Sequence, residues 1–169
     1  MNLEIETQVG TISAGISKIN GVYEKYAHKQ GISYGIINIF YMLRFHDAVT
    51  QNQIAEICMI PKQTVHSFIK QLKTEGYIVL AANGNDKREK EILLTPRGEK
   101  YSQELLEPFF ELHEKAAKRL GTDFLQQLSN ILTSLGDIFE LELELKQISE
   151  KWEEKTKQRM NNVQYSQII

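Results

Sequence analysis

The chain has one cysteine, Cys58, and only three prolines among 169 residues. A lone cysteine excludes an internal disulfide and a cysteine-rich zinc site, and it suits a reducing compartment. No apolar run approaches the roughly 20 residues of a membrane-spanning helix, so no membrane partner is expected. The amino-terminal stretch MNLEIETQVG lacks the cationic and apolar segments of a secretory signal. A soluble, cytoplasmic protein is expected. Also missing are a G-x-S-x-G elbow, a phosphate-cradling glycine loop, an H-x-x-x-H pair and a cysteine beside a base. Nothing therefore marks an enzyme, and no cofactor is expected.

A strong net charge is absent too, at −2 overall, but its distribution is uneven. Residues 51–100 carry eight Lys and Arg against six Asp and Glu, whereas residues 101–150 carry four against ten. A mildly basic middle thus sits beside an acidic segment.

In the first thirty residues Val9, Ile12, Ile16, Ile19, Tyr23 and Tyr26 recur every three or four positions, the stripe of a long helix, with Lys29 and Gly31 as its stop. Ser33 is a predicted cap for a second helix, Tyr34–Arg44, which is apolar nearly all round and belongs in a core. Thr50 and Gln53 form a T-x-x-Q capping box for a third, with Ile54, Ala55, Ile57 and Cys58 pointing inward. Pro61 ends that helix and suits the first turn of a fourth, in which Val65, Phe68, Ile69 and Leu72 make the buried face. Gly76 stops it. Two predicted strands, Tyr77–Ala81 and Glu91–Leu94, flank the polar tip Asn83 to Arg88. Thr95-Pro96 starts a long helix with Pro108, a predicted kink, in its middle. Gly121 and Thr122 separate it from a last helix. There Leu125, Leu128, Leu132, Leu135 and Phe139 form one stripe, and Ile138, Leu141, Leu145, Ile148 and Trp152 a second. Two short helices followed by a hairpin, between long helices, spell a winged helix-turn-helix.

The chain resembles the MarR-type bacterial transcriptional regulators across roughly residues 8–148. The resemblance is most specific in QNQIAEICMIPKQTVHSFIKQLKTEGYI and NDKREKEILLTPRGEK. In the second segment the D-x-R pair Asp86 and Arg88, followed by Leu94, Thr95 and Gly98 as L-T-x-x-G, is similar to that family's wing signature. The resemblance implies a mainly α fold with a small β-hairpin wing, and a homodimer whose terminal helices interlock. The stripes at both ends of the chain independently need a partner, and a two-fold dimer is the commonest solution. The expected organisation is an amino-terminal dimerisation helix over 1–32 and a winged helix-turn-helix lobe over 33–98. Within that lobe the recognition helix covers about 61–75 and the wing about 77–94. Long helices of the dimerisation lobe fill 99–152, and 153–169 is a polar tail, frayed or adding a helical turn.

In a helix-turn-helix the second helix enters the major groove, which puts Lys62, Gln63, Thr64, His66 and Ser67 within reach of bases. Gln63 suits adenine and Lys62 suits guanine, while Lys70 and Lys73 suit phosphate. The resemblance places Arg88, beside Lys87, in the minor groove, with Asp86 orienting it or the hairpin. A narrow minor groove concentrates negative potential and favours arginine. Ser67 stands where family members often carry a basic residue, which bears on the base contacts rather than on docking.

The implied function is a sequence-specific DNA-binding regulator, a repressor more often than an activator, acting as a homodimer on a pseudo-palindromic operator. A small aromatic or anionic effector is implied as well. Tyr23, Tyr26, Phe40, Phe45 and Phe110 are aromatic enough to receive one, but aromatics at helical spacing ordinarily form core. One alternative is a winged-helix protein-interaction module without DNA binding, against which the polar, basic face of the fourth helix argues. Another is a metal-responsive regulator of the same fold. It would need Glu24, His28, His46 and His113 to converge, and scattered histidines are the plainer account. Cys58, on an apolar stretch, reads as a packing residue.

Overall fold

Three helices end on the same hydrogen-bonded device. The computed structural model describes residues 2–46, 49–82 and 89–166, with side chains as far as Lys157. Among these residues the elements are α1 (Leu3–Lys29), α2 (Tyr34–Phe45), β1 (Val49–Thr50), α3 (Gln51–Ile57), α4 (Lys62–Thr74), β2 (Ile78–Ala82), β3 (Lys90–Leu94), α5 (Pro96–Leu120) and α6 (Thr122–Ser166). After α1 the Ile32 amide donates to Ala27 O at 3.1 Å and the Gly31 amide to His28 O at 3.0 Å. The same pair of bonds closes α3 through Ile60 and Met59, and α4 through Tyr77 and Gly76. Each is a Schellman motif, satisfying carbonyls that a helix end would otherwise leave bare. Each needs a left-handed residue, supplied by Gly31 at φ 71°, Gly76 at φ 75° and, without glycine, Met59 at φ 52°. The next residue, Ile32, Ile60 or Tyr77, is half-buried and packs on the core, so the cap also aims the chain inward.

The mainly helical fold with a small sheet is the one expected. Asn2 caps α1 and Ser33 caps α2, each side chain accepting a backbone amide of the first turn. The Thr50 and Gln53 capping box forms in both directions: the Thr50 amide donates to Gln53 Oε1 at 2.8 Å and the Gln53 amide to Thr50 Oγ1 at 3.3 Å. One element was absent from the sequence reading. Two residues, Val49 and Thr50, form β1 on the outer side of β3, giving the antiparallel order β1-β3-β2. Val49 faces Ile92, which faces Leu80 across the other ladder. A two-residue strand has no periodicity to read, and only its partner defines it.

The chain divides into two compact units, Met1–Glu111 and Leu112–Ile169, with the division inside α5. The first unit holds the core: Ile36, Ile39 and Phe40 of α2, Ile54 of α3, Val65, Ile69 and Leu72 of α4, Ile78 and Ile92 of the sheet, and Leu105, Leu106 and Phe109 of α5. A fully buried side chain of this kind contributes about 1.5–3 kcal/mol. Ile57 corrects the reading of α3, for it is 60% exposed while Ile54 and Ala55 are buried. With α3 ending at Ile57, the following turn carries the inward role in Ile60 instead. Carboxy-terminal α1 joins this unit through Tyr26, whose ring meets Phe109 at 4.5 Å and whose hydroxyl donates to Leu105 O at 3.0 Å. α5 is assigned continuously through Pro108. Proline has no N–H to offer the carbonyl of Glu104, and the adjoining carbonyl, of Leu105, receives this tyrosine.

The junction of β3 and α5 is the most closely built point of the first unit. The Thr95 amide donates to Tyr77 O at 3.0 Å. The Thr95 hydroxyl proton is shared between Gly76 O at 2.8 Å and Tyr77 O at 3.2 Å. Its oxygen accepts the Gly98 amide at 3.0 Å, so Thr95 caps α5 while gripping the end of α4. Gly98 makes this approach possible: a Cβ there would lie 1.9 Å from Tyr77 O. Tyr77 also stacks on Tyr101 at 4.4 Å, and the Arg97 guanidinium lies 4.8 Å from its ring centroid.

In the second unit Gly121, at φ 88°, separates α5 from α6. Apolar side chains here are mostly exposed, among them Leu112 and Leu120, and on α6 Ile131, Ile138, Phe139, Leu141, Leu145, Ile148 and Trp152. The ELELELK stretch is helical, as its flanking stripes predict. α6 then continues to Ser166, further than the pattern past Glu153 suggests. That segment contains no glycine or proline and is rich in good helix formers. No helix among the described residues is long and apolar enough to cross a membrane.

Candidate nucleic-acid interface

α4 has the strongest segregation of faces in the helix-turn-helix. Val65, Ile69 and Leu72 are buried, Phe68 is half-buried, and Lys62, Gln63, His66, Ser67, Lys70 and Lys73 are exposed, with Thr64 half-buried beside them. The buried spacing locks the rotation of the helix about its axis and thereby decides which side chains face outward. α2 packs close behind: at Gly35 a Cβ would come within 2.6 Å of the Phe68 ring. Pro61 occupies the position before α4, one residue earlier than the first-turn place expected, and supplies no side-chain cap. No acidic residue stands in the first turn of α4. Its open amides, the positive end of the helix dipole and Lys62 therefore favour a negatively charged partner there.

The amino-terminal turn of α3 adds groups that sequence reasoning missed. Gln51 Oε1 lies 3.3 Å from His66 Nδ1. Asn52 Nδ2 donates to Glu89 Oε1 at the base of the wing. Thr50, Gln51, Asn52, Glu89 and Lys90 line an open groove of about 320 Å³. A signal for Gln51 was present, since the first helix of such a motif starts beside the second, but fifteen residues of separation conceal the pairing. Ser67 donates its hydroxyl to Gln63 O at 3.1 Å within α4. The proton is thereby engaged and the oxygen's remaining capacity is that of an acceptor.

Asp86, Lys87 and Arg88 lie outside the described residues. The β2 and β3 ladder beneath them is regular as far as the Ala82 and Lys90 pair.

The other residues considered for ligand or metal are dispersed in role. Phe40 is core, and Tyr23 and Tyr26 pack on Phe109. Phe45, Phe110 and Tyr41 form a separate cluster with ring centroids 4.7–6.3 Å apart. Burial pushes the Tyr34 hydroxyl up to about 12, helped by Tyr23, Cys58 and Glu24. Burial also raises the half-buried Cys58 thiol, the direction that makes a thiol less reactive. It lowers the His113 imidazole. Among the described residues no three His, Cys, Asp or Glu side chains gather as a metal cluster.

Comparison with known proteins places this geometry among regulators. A model of the MarR family matches residues 37–89. An uncharacterized HTH-type transcriptional regulator, YwoH of Bacillus subtilis (strain 168), is 33% identical over 101 residues, covering 53% of this chain and 73% of that protein. The structure of NMB1585, a MarR family regulator from Neisseria meningitidis, superposes with a TM-score of 0.72 at 28% identity, over 85% of this chain and 98% of that one. Staphylococcus aureus MarR in complex with salicylate and kanamycin shares the fold at a TM-score of 0.63 and 20% identity, over 82% of this chain and 93% of that one.

Proposed function

Because the chain belongs to the MarR family of transcriptional regulators, we propose that it binds duplex DNA sequence-specifically as a homodimer and represses from a pseudo-palindromic operator. The observation that carries this reading is α4: a helix pinned by Val65, Ile69 and Leu72 that presents Lys62, Gln63, His66, Ser67 and Lys70 outward, behind an uncapped amino terminus. Thr64 lies at their edge. Lys62 and Gln63 meet base edges, and Lys70 and Lys73 hold phosphate. Arg88 enters the minor groove beside Lys87, with Asp86 orienting the tip. In domain terms 33–98 is the reading lobe, while 1–32 and 99–152 form the dimerisation lobe. The exposed stripes of α1 and α6, with Ile12, Ile16 and Ile19 on one and Ile138, Leu141 and Leu145 on the other, support the dimer. An acidic stretch over 101–150 keeps negative charge on segments away from α4 in sequence, and phosphate contacts by the lysines of α4 make binding depend steeply on salt.

Selection of bound genomic fragments followed by gel-shift titration at fixed salt tests the reading. Lys62→Ala, Gln63→Ala and Arg88→Ala should each weaken operator binding by about 1–3 kcal/mol. Lys70→Ala should instead act on all sequences alike and reduce the salt slope by about 1. Unchanged affinity in every variant would refute the interface. An effector of the small aromatic anion class is part of the proposal, supported by the salicylate bound to the Staphylococcus aureus relative. Its test is release of bound operator by salicylate.

A further inference from the structure

Gln51 and His66 belong to different helices, and their contact has a consequence for what the imidazole offers DNA. Gln51 stands in the first turn of α3, directly after the Thr50 cap, and its side chain is half-buried. His66 stands on the exposed face of α4, with Gln63 one turn before it and Lys70 one turn after. The group that Gln51 turns to the ring is its amide oxygen, 3.3 Å from Nδ1. An amide oxygen can only accept, so Nδ1 must carry the hydrogen. A neutral imidazole has one N–H, which leaves Nε2, at the far edge of the ring, as an acceptor.

We propose that Gln51 is a positioning residue that fixes the tautomer of His66, so that His66 Nε2 is a base-reading hydrogen-bond acceptor. This rests on the DNA-binding reading above. In the neutral ring Nε2 accepts a hydrogen bond, matching the exocyclic amino groups of adenine and cytosine. Among the described residues the charged groups nearest this pair along the chain and the groove are Lys62 and Lys70, one turn before and after His66 on α4, and Glu89 and Lys90, which line the groove with Gln51. α3 contributes neutral Gln51 and Asn52, and Asn52 occupies one Glu89 oxygen.

Two measurements on the full chain test this. The first needs no DNA: nitrogen-15 shifts of the His66 ring report which nitrogen is protonated. The expected result for the neutral ring is a dominant Nδ1–H form. Gln51→Leu should revert to the Nε2–H form that a free imidazole prefers, and Gln51→Glu, which keeps the acceptor, should retain Nδ1–H. A dominant Nε2–H form in the unaltered protein, or a ratio indifferent to Gln51→Leu, overturns the proposal. The second measurement is competition among operator variants at one pH and salt concentration. The unaltered protein should prefer adenine or cytosine at one position per half-site, by roughly tenfold, as for one hydrogen-bonded base contact. His66→Ala should abolish that preference. A base preference unchanged by His66→Ala overturns base reading by His66, whereas absence of any DNA binding sinks the regulator reading and leaves the tautomer result standing by itself. Thermal melting of each variant separates these outcomes from loss of fold.

Discussion

Gly98→Ala adds one methyl group, yet it should be among the most damaging small changes in the chain. Gly98 is the third residue of α5, and an ideal Cβ there sits 1.9 Å from Tyr77 O, where ordinary contact begins at 3.4 Å. The obstacle is a backbone carbonyl, and that carbonyl already accepts the Thr95 amide and part of the Thr95 hydroxyl proton. Relief therefore requires α5 to move away from the end of α4, loosening the Thr95 bonds. Overpacking of a tight site costs about 1–3 kcal/mol. Partial loss of two or three hydrogen bonds adds roughly 1–2 kcal/mol. Alanine's better helix propensity returns about 1 kcal/mol. The net expectation is a loss of about 1–4 kcal/mol, or a fall in Tm of about 2–16 °C for a chain of this size. Thermal denaturation followed by circular dichroism measures it, at one protein concentration because a dimer's Tm depends on concentration. Gly10→Ala, in α1 with nothing within 4 Å of the added Cβ, serves as the control and should be neutral or stabilising. Equal Tm values for Gly98→Ala and the unaltered protein would refute the argument that this carbonyl demands glycine.

Thr50→Ala removes the acceptor for the Gln53 amide and should cost about 1 kcal/mol by urea titration. Its DNA affinity should fall as well, since α3 positions Gln51 beside His66. Met59→Gly should stabilise by about 0.5–1 kcal/mol, because Met59 is exposed and holds a positive φ without compensating burial. A loss of stability there would mean that the methionine packs on something in the assembled protein. Tyr34, with its hydroxyl pushed up to about 12, favours folding fully below pH 10, and that contribution is lost as pH rises through 10 to 12, where the unfolded chain ionises first. Tyr34→Phe should therefore flatten the alkaline fall in stability over that window, as followed by circular dichroism during alkaline titration. An unchanged alkaline limb would show that other groups govern it.

Much of the reading head was legible because its determinants are local. The T-x-x-Q box of α3, Ser33 before α2, Gly31 and Gly76 after their helices, and the Val65, Ile69 and Leu72 stripe all act within four or five residues, the range over which sequence spacing translates directly into helix geometry. The same locality exposed the outward face of α4. Ile57 was misread because it sits at the very end of α3, where periodicity cannot say which side the next turn will cover. Met59 gave no warning of its left-handed conformation, since glycine is the residue that signals it.

By itself, then, the sequence determined the order of helices and strands, their caps and which side of α4 is apolar, because short-range sterics and hydrogen bonding decide these one turn at a time. Only the tertiary structure decided that Val49 and Thr50 are a strand, that Thr95 and Gly98 clasp Tyr77, and that Gln51 reaches His66. Those contacts join residues 15 to 43 positions apart. Their existence depends on how packed elements meet in space, which no spacing along the chain encodes.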